Sequence, residues 1–155
     1  MIKDVENYVV FRLATEIFAI PVSIAHEIIG YQEVTEVPDM DSFIKGVTNV
    51  RGNIMPVIDL RQKFDMPEKE VDIDTAIIVL DMQIDNKNYR LGIIVDKVIS
   101  VLEIKDAEIL PVPNVGSKYN SNFVNGISKI ESDYVVILNI IKIFTKNEIA
   151  KIINQ

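Results

Sequence analysis

The chain has 155 residues, 48% hydrophobic and 25% charged, which fits one ordinary globular domain or two small ones packed together. A net charge of −7 and a pI near 4.7 argue against nucleic acid as a partner and against adsorption to anionic lipid. Cysteine is absent, so disulfides, thiolate zinc sites and cysteine nucleophiles are excluded.

Met1 to Asn7 lacks the apolar core of a signal peptide, and no apolar run approaches the ~20 residues of a membrane span. The expectation is a cytoplasmic protein with no membrane insertion. Tyr8 to Leu13 and Ile17 to Ile20 are rich in β-branched and aromatic residues and are interrupted by Ala14-Thr15-Glu16, which predicts a hairpin ending at Pro21. Val22 to Glu27 predicts a short helical turn, and Ile28 to Val37 a strand closed by Pro38. Asp41-Ser42 offers a cap for a short helix over Phe43 to Val47. Asn53 to Ile58 reads as a strand whose Pro56 suggests a sheet edge. Asp59 is placed to cap the turn Leu60 to Phe64.

Met66 to Asp74 is a charged connection. Ala76 to Leu80 is an unbroken apolar run, as in a strand buried on both faces. Asp85 to Asn88 reads as a turn, Tyr89 to Val95 as the returning arm, and Val98 to Ile104 as another strand. Asp106 to Asn122, with Pro111, Pro113 and Gly116, is the longest irregular stretch. Phe123 to Ile130 and Tyr134 to Leu138 follow as strands. Thr145-Lys146-Asn147-Glu148 is a capping box for a C-terminal helix over about 146–153, whose Ile149, Ile152 and Ile153 share one face. That face either packs on the body or binds a partner.

Phe43 to Phe64 reappears faintly as Phe123 to Phe144 at a constant offset of 80 with no gap. Phe43, Gly46 and Phe64 fall on Phe123, Gly126 and Phe144, and Asp59 falls on Asn139. Tyr8 to Val22 likewise matches the second hairpin, with the second turn expected to be about five residues longer. The chain therefore reads as two copies of one β-rich unit, about 8–65 and 75–144, with strands open to exchange between them. Asn49-Val50-Arg51-Gly52 in the first copy becomes Lys129-Ile130-Glu131-Ser132 in the second. That difference points to a task carried by one side of a pseudosymmetric molecule.

Chemistry is hard to find. One histidine, His26, rules out a paired-histidine metal site or relay. Gly46 and Gly52 make no phosphate loop, the serines lack a nucleophile elbow, and the carboxylates are scattered. The residues favour a binding protein over an enzyme, with no cofactor.

The string Phe43-Ile44-Lys45-Gly46-Val47-Thr48-Asn49-Val50-Arg51-Gly52-Asn53-Ile54-Met55-Pro56-Val57-Ile58-Asp59-Leu60-Arg61 resembles the signature of the CheW-like domain family. Glu27 to Gly30, Thr35 to Pro38, Gly92 to Val98 and Phe123 to Gly126 match it in order, so the resemblance runs from about Asn7 to the C-terminal helix. It implies two packed five-stranded barrels of SH3-like type. It also implies a non-enzymatic adaptor between the cytoplasmic tips of methyl-accepting chemoreceptors and the regulatory domain of the histidine kinase CheA, recruited to receptor arrays at the inner face of the membrane. Related modules occur within larger signalling proteins; with no kinase core or receiver before Gln155, the stand-alone adaptor is the better match.

The resemblance places receptor coupling at Glu27 and Arg51, with Ala25, Gly46 and Asn49 beside them. An arginine fork holding a carboxylate can shape a groove for a receptor helix, whereas the plain alternative is a surface ion pair worth ~0–1 kcal/mol. Kinase binding is placed at Ala76, Ile77, Gly92, Val98 and Val101 of the second copy, where Val98 and Val101 suit either an interface or a core. A competing reading, a sensory barrel binding a small ligand between its halves, requires a sizeable enclosed cavity. An unmarked enzyme requires convergent ionisable groups in one cleft.

Overall fold

The fold is mainly β, and its two sheets are built by reciprocal exchange. A computed structural model describes residues 5–38, 42–112, 123–144, 147, 148 and 150. The strands are β1 (Val5–Leu13), β2 (Glu16–Pro21), β3 (Ala25–Gly30), β4 (Ile44–Val50), β5 (Asn53–Asp59), β6 (Ala76–Ile84), β7 (Lys87–Val95), β8 (Lys97–Lys105), β9 (Val124–Ile130) and β10 (Asp133–Leu138). One five-stranded sheet runs β8-β1-β2-β10-β9 and the other β3-β6-β7-β5-β4. The hairpin of each sequence copy thus sits among three strands of the other copy. The halves of the repeat are not the sheets; each sheet needs both.

Each sheet curls toward closure through the segment after its edge strand. Beyond β3, Thr35 bridges Val47 on β4, and the Gln32 amide donates to Thr48 Oγ1 at 2.8 Å and to the Asn49 carbonyl at 2.6 Å. Beyond β8, Leu110 bridges Ile127 on β9. Glycine is required under both straps. A Cβ on Gly46, at φ +153°, would lie 2.1 Å from the Thr35 carbonyl oxygen, and one on Gly126 would lie 2.4 Å from an Ile109 methyl. Gly46 is therefore a buried packing position of the closed barrel and lines no groove.

Alternation along the strands separates three cores. Tyr8, Val10, Ala19, Ile104, Val135 and Ile137 fill the first barrel. Val50, Met55, Ile77 and Val79 fill the second. The opposite faces, among them Val9, Phe11, Phe18, Ile58, Ile78, Leu80 and Ile93, form one apolar layer shared by both sheets. Strands buried on both faces need unbroken apolar runs, which is why Ala76 to Leu80 has no polar position. Two reciprocal aromatic contacts express the pseudosymmetry of this layer: Phe43 meets Phe144 at 5.7 Å between ring centroids, and Phe64 meets Phe123 at 6.3 Å. The short helices α1 (Leu60–Lys63) and α2 (Ile140–Ile143) occupy equivalent places. Asp59 caps the first through the Arg61 amide and Asn139 the second through the Lys142 amide.

Several local expectations are corrected. Phe43 to Val47 is not helical: Ile44–Val50 is a strand with inward Ile44, Gly46, Thr48 and Val50, a pattern of period two that Gly46 reinforces by weakening a helix. The strand expected over Ile28 to Val37 ends at Gly30, where the chain leaves β6 to become the strap. Pro56 is interior, between β4 and β7. It is tolerated because Val47 opposite it turns its own amide and carbonyl to Thr35, and the pairing with β7 begins only at Val57. The second hairpin turn is two residues, Asp85 and Asn86, both at positive φ, as a type I′ turn demands; its extra length lies in the strands. Of the irregular stretch 106–122, Asp106–Glu108 is a 3-10 turn and 113–122 lies outside the described residues. The expected C-terminal helix falls largely outside them too, although Asn147, Glu148 and Ala150 are helical.

The chain passes between sheets at only two places within the described residues, the 3-10 turn Val22–Ile24 and the single residue Asp96. Asp96 is clasped from both sides. Its carboxylate accepts from Arg61 Nε at 2.9 Å and Nη2 at 2.5 Å, and from the Ala14 amide at 2.7 Å. Arg61 also donates to the Pro67 carbonyl at 2.6 Å. Burial pushes the Asp96 pKa up, but the Arg61 and Ala14 hydrogen bonds outweigh it and hold it below the usual carboxylate range. A folded-state pKa below the unfolded one stabilises above the unfolded value, and that contribution is lost as pH falls through the folded value. Asp96→Asn is expected to cost about 1.5–3 kcal/mol at neutral pH and to remove part of the acid sensitivity; urea unfolding at pH 7 and in acid measures both. Gly46→Ala is expected to cost at least about 2 kcal/mol through strain and the strap clash, read in the same titration.

Candidate functional site

One end of the second barrel is ringed by charge. The β4–β5 turn places Arg51 at φ +52° and Gly52 at φ +85°, and the Asn49 side chain fixes the turn by accepting from the Gly52 amide at 2.8 Å. Arg51 reaches Glu27 on β3 through one nitrogen, with Nη1 at 2.9 Å from Oε1 and 2.7 Å from Oε2. This is not the two-nitrogen fork the sequence suggested. Nε and Nη2 have no partner among the described residues, and the Arg51 side chain is 75% exposed against 18% for Glu27. Glu131 occupies the matching turn of the second copy at φ +56°. The two residues share a left-handed φ while their charge is reversed; the residue after them differs, with Gly52 at positive φ and Ser132 not.

Sequence reading missed the rest of this ring. A β-bulge between Ala25 and Glu27 breaks the β3–β6 register and sets His26 out toward β6. His26 Nδ1 lies 3.1 Å from Asp81 Oδ2, while Arg90 Nε donates to Asp81 Oδ1 at 2.8 Å. The Asp81 hydrogen bond raises the Arg90 pKa, and the charge of Glu27 adds in the same direction. Asp81 and Arg90 are directly cross-strand, a spacing invisible until the β6–β7 register is known. The ring carries two carboxylates and two guanidiniums, balanced in charge.

Asp81 also touches a groove of about 540 Å³ lined by Ser23, Met82, Gln83, Asn88, Asn125 and Ile140 among others. Its walls come from both sheets, and its amides and apolar floor lie open at the surface. The enclosed cavity expected of a small-ligand barrel is not what this groove offers. No cluster of three or more metal-ligating side chains occurs among the described residues.

The second-copy residues divide sharply. Ile77 is fully buried and Ala76 is 8% exposed. A Cβ on the buried Gly92 would meet an Ile77 methyl at 2.8 Å. Inside the barrel and the shared layer, these three present little or no side-chain surface. Val98, opposite Phe11, packs on the shared layer, as does the partly buried Ala25. Val101 is 56% exposed and Ile99 41%, both on β8, the outer strand of its sheet.

The family model for the CheW-like domain matches residues 7–148. The chain belongs to the CheW-like family. It is 33% identical over 150 residues to the chemotaxis protein CheW of Klebsiella aerogenes, covering 96% of this chain and 87% of that one. With CheW of Bacillus subtilis the identity is 34% over 140 residues, covering 90% and 85%. The solved structure of the scaffolding protein TtCheW from Thermoanaerobacter tengcongensis superposes with a TM-score of 0.81 at 32% identity, covering 92% of this chain and 90% of that one. CheW proteins are chemotaxis scaffolds and not enzymes, in keeping with a site built from ion pairs and amides. No helix among the described residues is long and apolar enough to cross a membrane.

Exposure decides what substitutions should do to stability. Arg51→Ala is expected to shift the unfolding free energy by less than about 1 kcal/mol. Ile77→Ala, inside the barrel, should cost about 2–5 kcal/mol. Thermal melts of the two variants side by side check the assignment.

Proposed function

We propose that the chain couples chemoreceptors to the kinase CheA, with the receptor tip meeting the charged ring at Glu27 and Arg51 and the CheA regulatory domain meeting the exposed β8 edge at Ile99 and Val101. The observation that carries this reading is the one-sided ring. The matching turn of the second copy carries Glu131 at nearly the same φ, so arginine is not needed at that position, and its side chain stands in water with two nitrogens uncommitted. Such a group suits recognition of a carboxylate or carbonyl on a partner. Asn49 belongs to this surface as the residue that fixes the Arg51 turn, and Gly46 and Ala25 support it from below.

The kinase side rests on different features. β8 lies at the edge of its sheet, and Ile99 and Val101 make an exposed apolar pair on a strand with unpaired backbone. The ring is on the second barrel and the β8 edge on the first, so one molecule can hold both partners at once and raise their effective concentration. Recruitment to receptor arrays at the membrane follows from such bridging and needs no anchor.

Pairwise binding to a purified receptor cytoplasmic fragment and to the CheA regulatory domain tests the assignment. Arg51→Ala is expected to weaken receptor binding about tenfold and leave kinase binding near normal; Val101→Asp is expected to do the reverse. Loss of both interactions by either variant with an unchanged melt, or loss of neither, contradicts the placement.

A further inference from the structure

We infer that His26 is a recognition residue of the same ring, presenting its outer nitrogen as a hydrogen-bond acceptor to the receptor and making that contact sensitive to acid. The inference rests on the receptor reading above and names a contact of the same surface.

The chemistry follows from the Asp81 contact. An ionised carboxylate can only accept, so the His26 nitrogen 3.1 Å from Asp81 Oδ2 must carry the proton. In the neutral ring Nε2 is then left with a lone pair and no hydrogen. The bulge at Ala25 and Glu27 holds the ring at the surface, with the His26 side chain 39% exposed. Arg90 Nε binds the other oxygen of Asp81 at 2.8 Å, which favours the orientation that faces His26. Tautomer and orientation are both fixed from behind, as in other sites where a carboxylate orients an imidazole.

Protonation reverses the outward chemistry. His26 meets Asp81 from β6, which Arg90 from β7 also binds, and its strand neighbour Glu27 is paired with Arg51 of the β4–β5 turn. Without a charge on His26 they balance. A proton on Nε2 turns an acceptor into a donor and leaves the ring with net positive charge. A partner group that donates to Nε2 is therefore lost once the imidazole is charged. The partner chemistry selected is a donor, such as the amide of asparagine or glutamine or a hydroxyl.

The test combines the imidazole tautomer with a binding profile. Nitrogen-15 spectra of the free protein at neutral pH should show His26 with hydrogen on Nδ1 and none on Nε2; hydrogen on Nε2 overturns the inference. Binding of the receptor cytoplasmic fragment should weaken about five- to tenfold on acidification from neutral pH, while His26→Gln, which keeps an acceptor and cannot charge, should bind with a flat profile. Kinase binding should be independent of pH in both proteins over the same range. A flat profile in the unaltered protein, tighter binding in acid, or an equal loss in His26→Gln overturns this role while leaving the adaptor reading intact. No receptor binding even at the alkaline end overturns the adaptor reading and the histidine contact with it.

Discussion

The structure depends on the exchange of hairpins between two copies of one unit. Neither copy can close a barrel alone, since each sheet joins two strands of one to three of the other. The exchange forces a shared apolar layer, in which strands such as β6 are buried on both faces. It also forces the chain to cross between sheets, and the single residue Asp96 makes one of the two crossings. A one-residue connection leaves no slack. The carboxylate there is met by Arg61 from the second sheet and the Ala14 amide from the first, so the crossing is tied to both bodies it separates. Surfaces on different barrels are therefore held at a fixed mutual geometry, which a scaffold requires and two independently tumbling domains would not supply.

Within this pseudosymmetry, the proposed receptor surface lies where the two copies depart from each other. The straps, the paired glycines, the capped short helices and the reciprocal phenylalanine contacts recur in both halves because both barrels need them. Arg51 and Glu131 share a backbone conformation and differ in charge. His26, Asp81 and Arg90 have no counterpart imposed by the fold. A ring of balanced charge around a barrel mouth contributes little to stability at the surface, where ion pairs are screened and solvated. Its worth lies in what it can exchange with a partner.

Much of this was legible in the sequence because periodicity and offset are local or nearly so. The 80-residue repeat pointed to the paired strands, and Asp59 was recognisable as the cap of the first short helix; the second helix and its Asn139 cap follow from the same offset but were not read from it. Phe43 to Val47 imitates a helix start because a capping pair precedes a short apolar stretch; the alternation of Ile44, Gly46, Thr48 and Val50 marks the strand only when read through to Val50, beyond the stretch taken as a helix. Pro56 looked like an edge residue because the rule concerns its missing donor, and only the register with Val47 shows that no donor is wanted there. Ile77 and Gly92 matched a family surface in order along the chain, yet strand alternation turns them inward. Asp81 and Arg90 escaped notice because their meeting with His26 and Glu27 depends on a bulge and on cross-strand register.

The central claim is that one rigid molecule holds a receptor and the kinase at once through separate surfaces. Analytical ultracentrifugation of the chain with a receptor cytoplasmic fragment and the CheA regulatory domain tests it most directly. The account predicts a complex containing all three, with the affinity for each partner undiminished when the other is saturating. Mutual displacement, in which added kinase domain releases the receptor fragment, would contradict it.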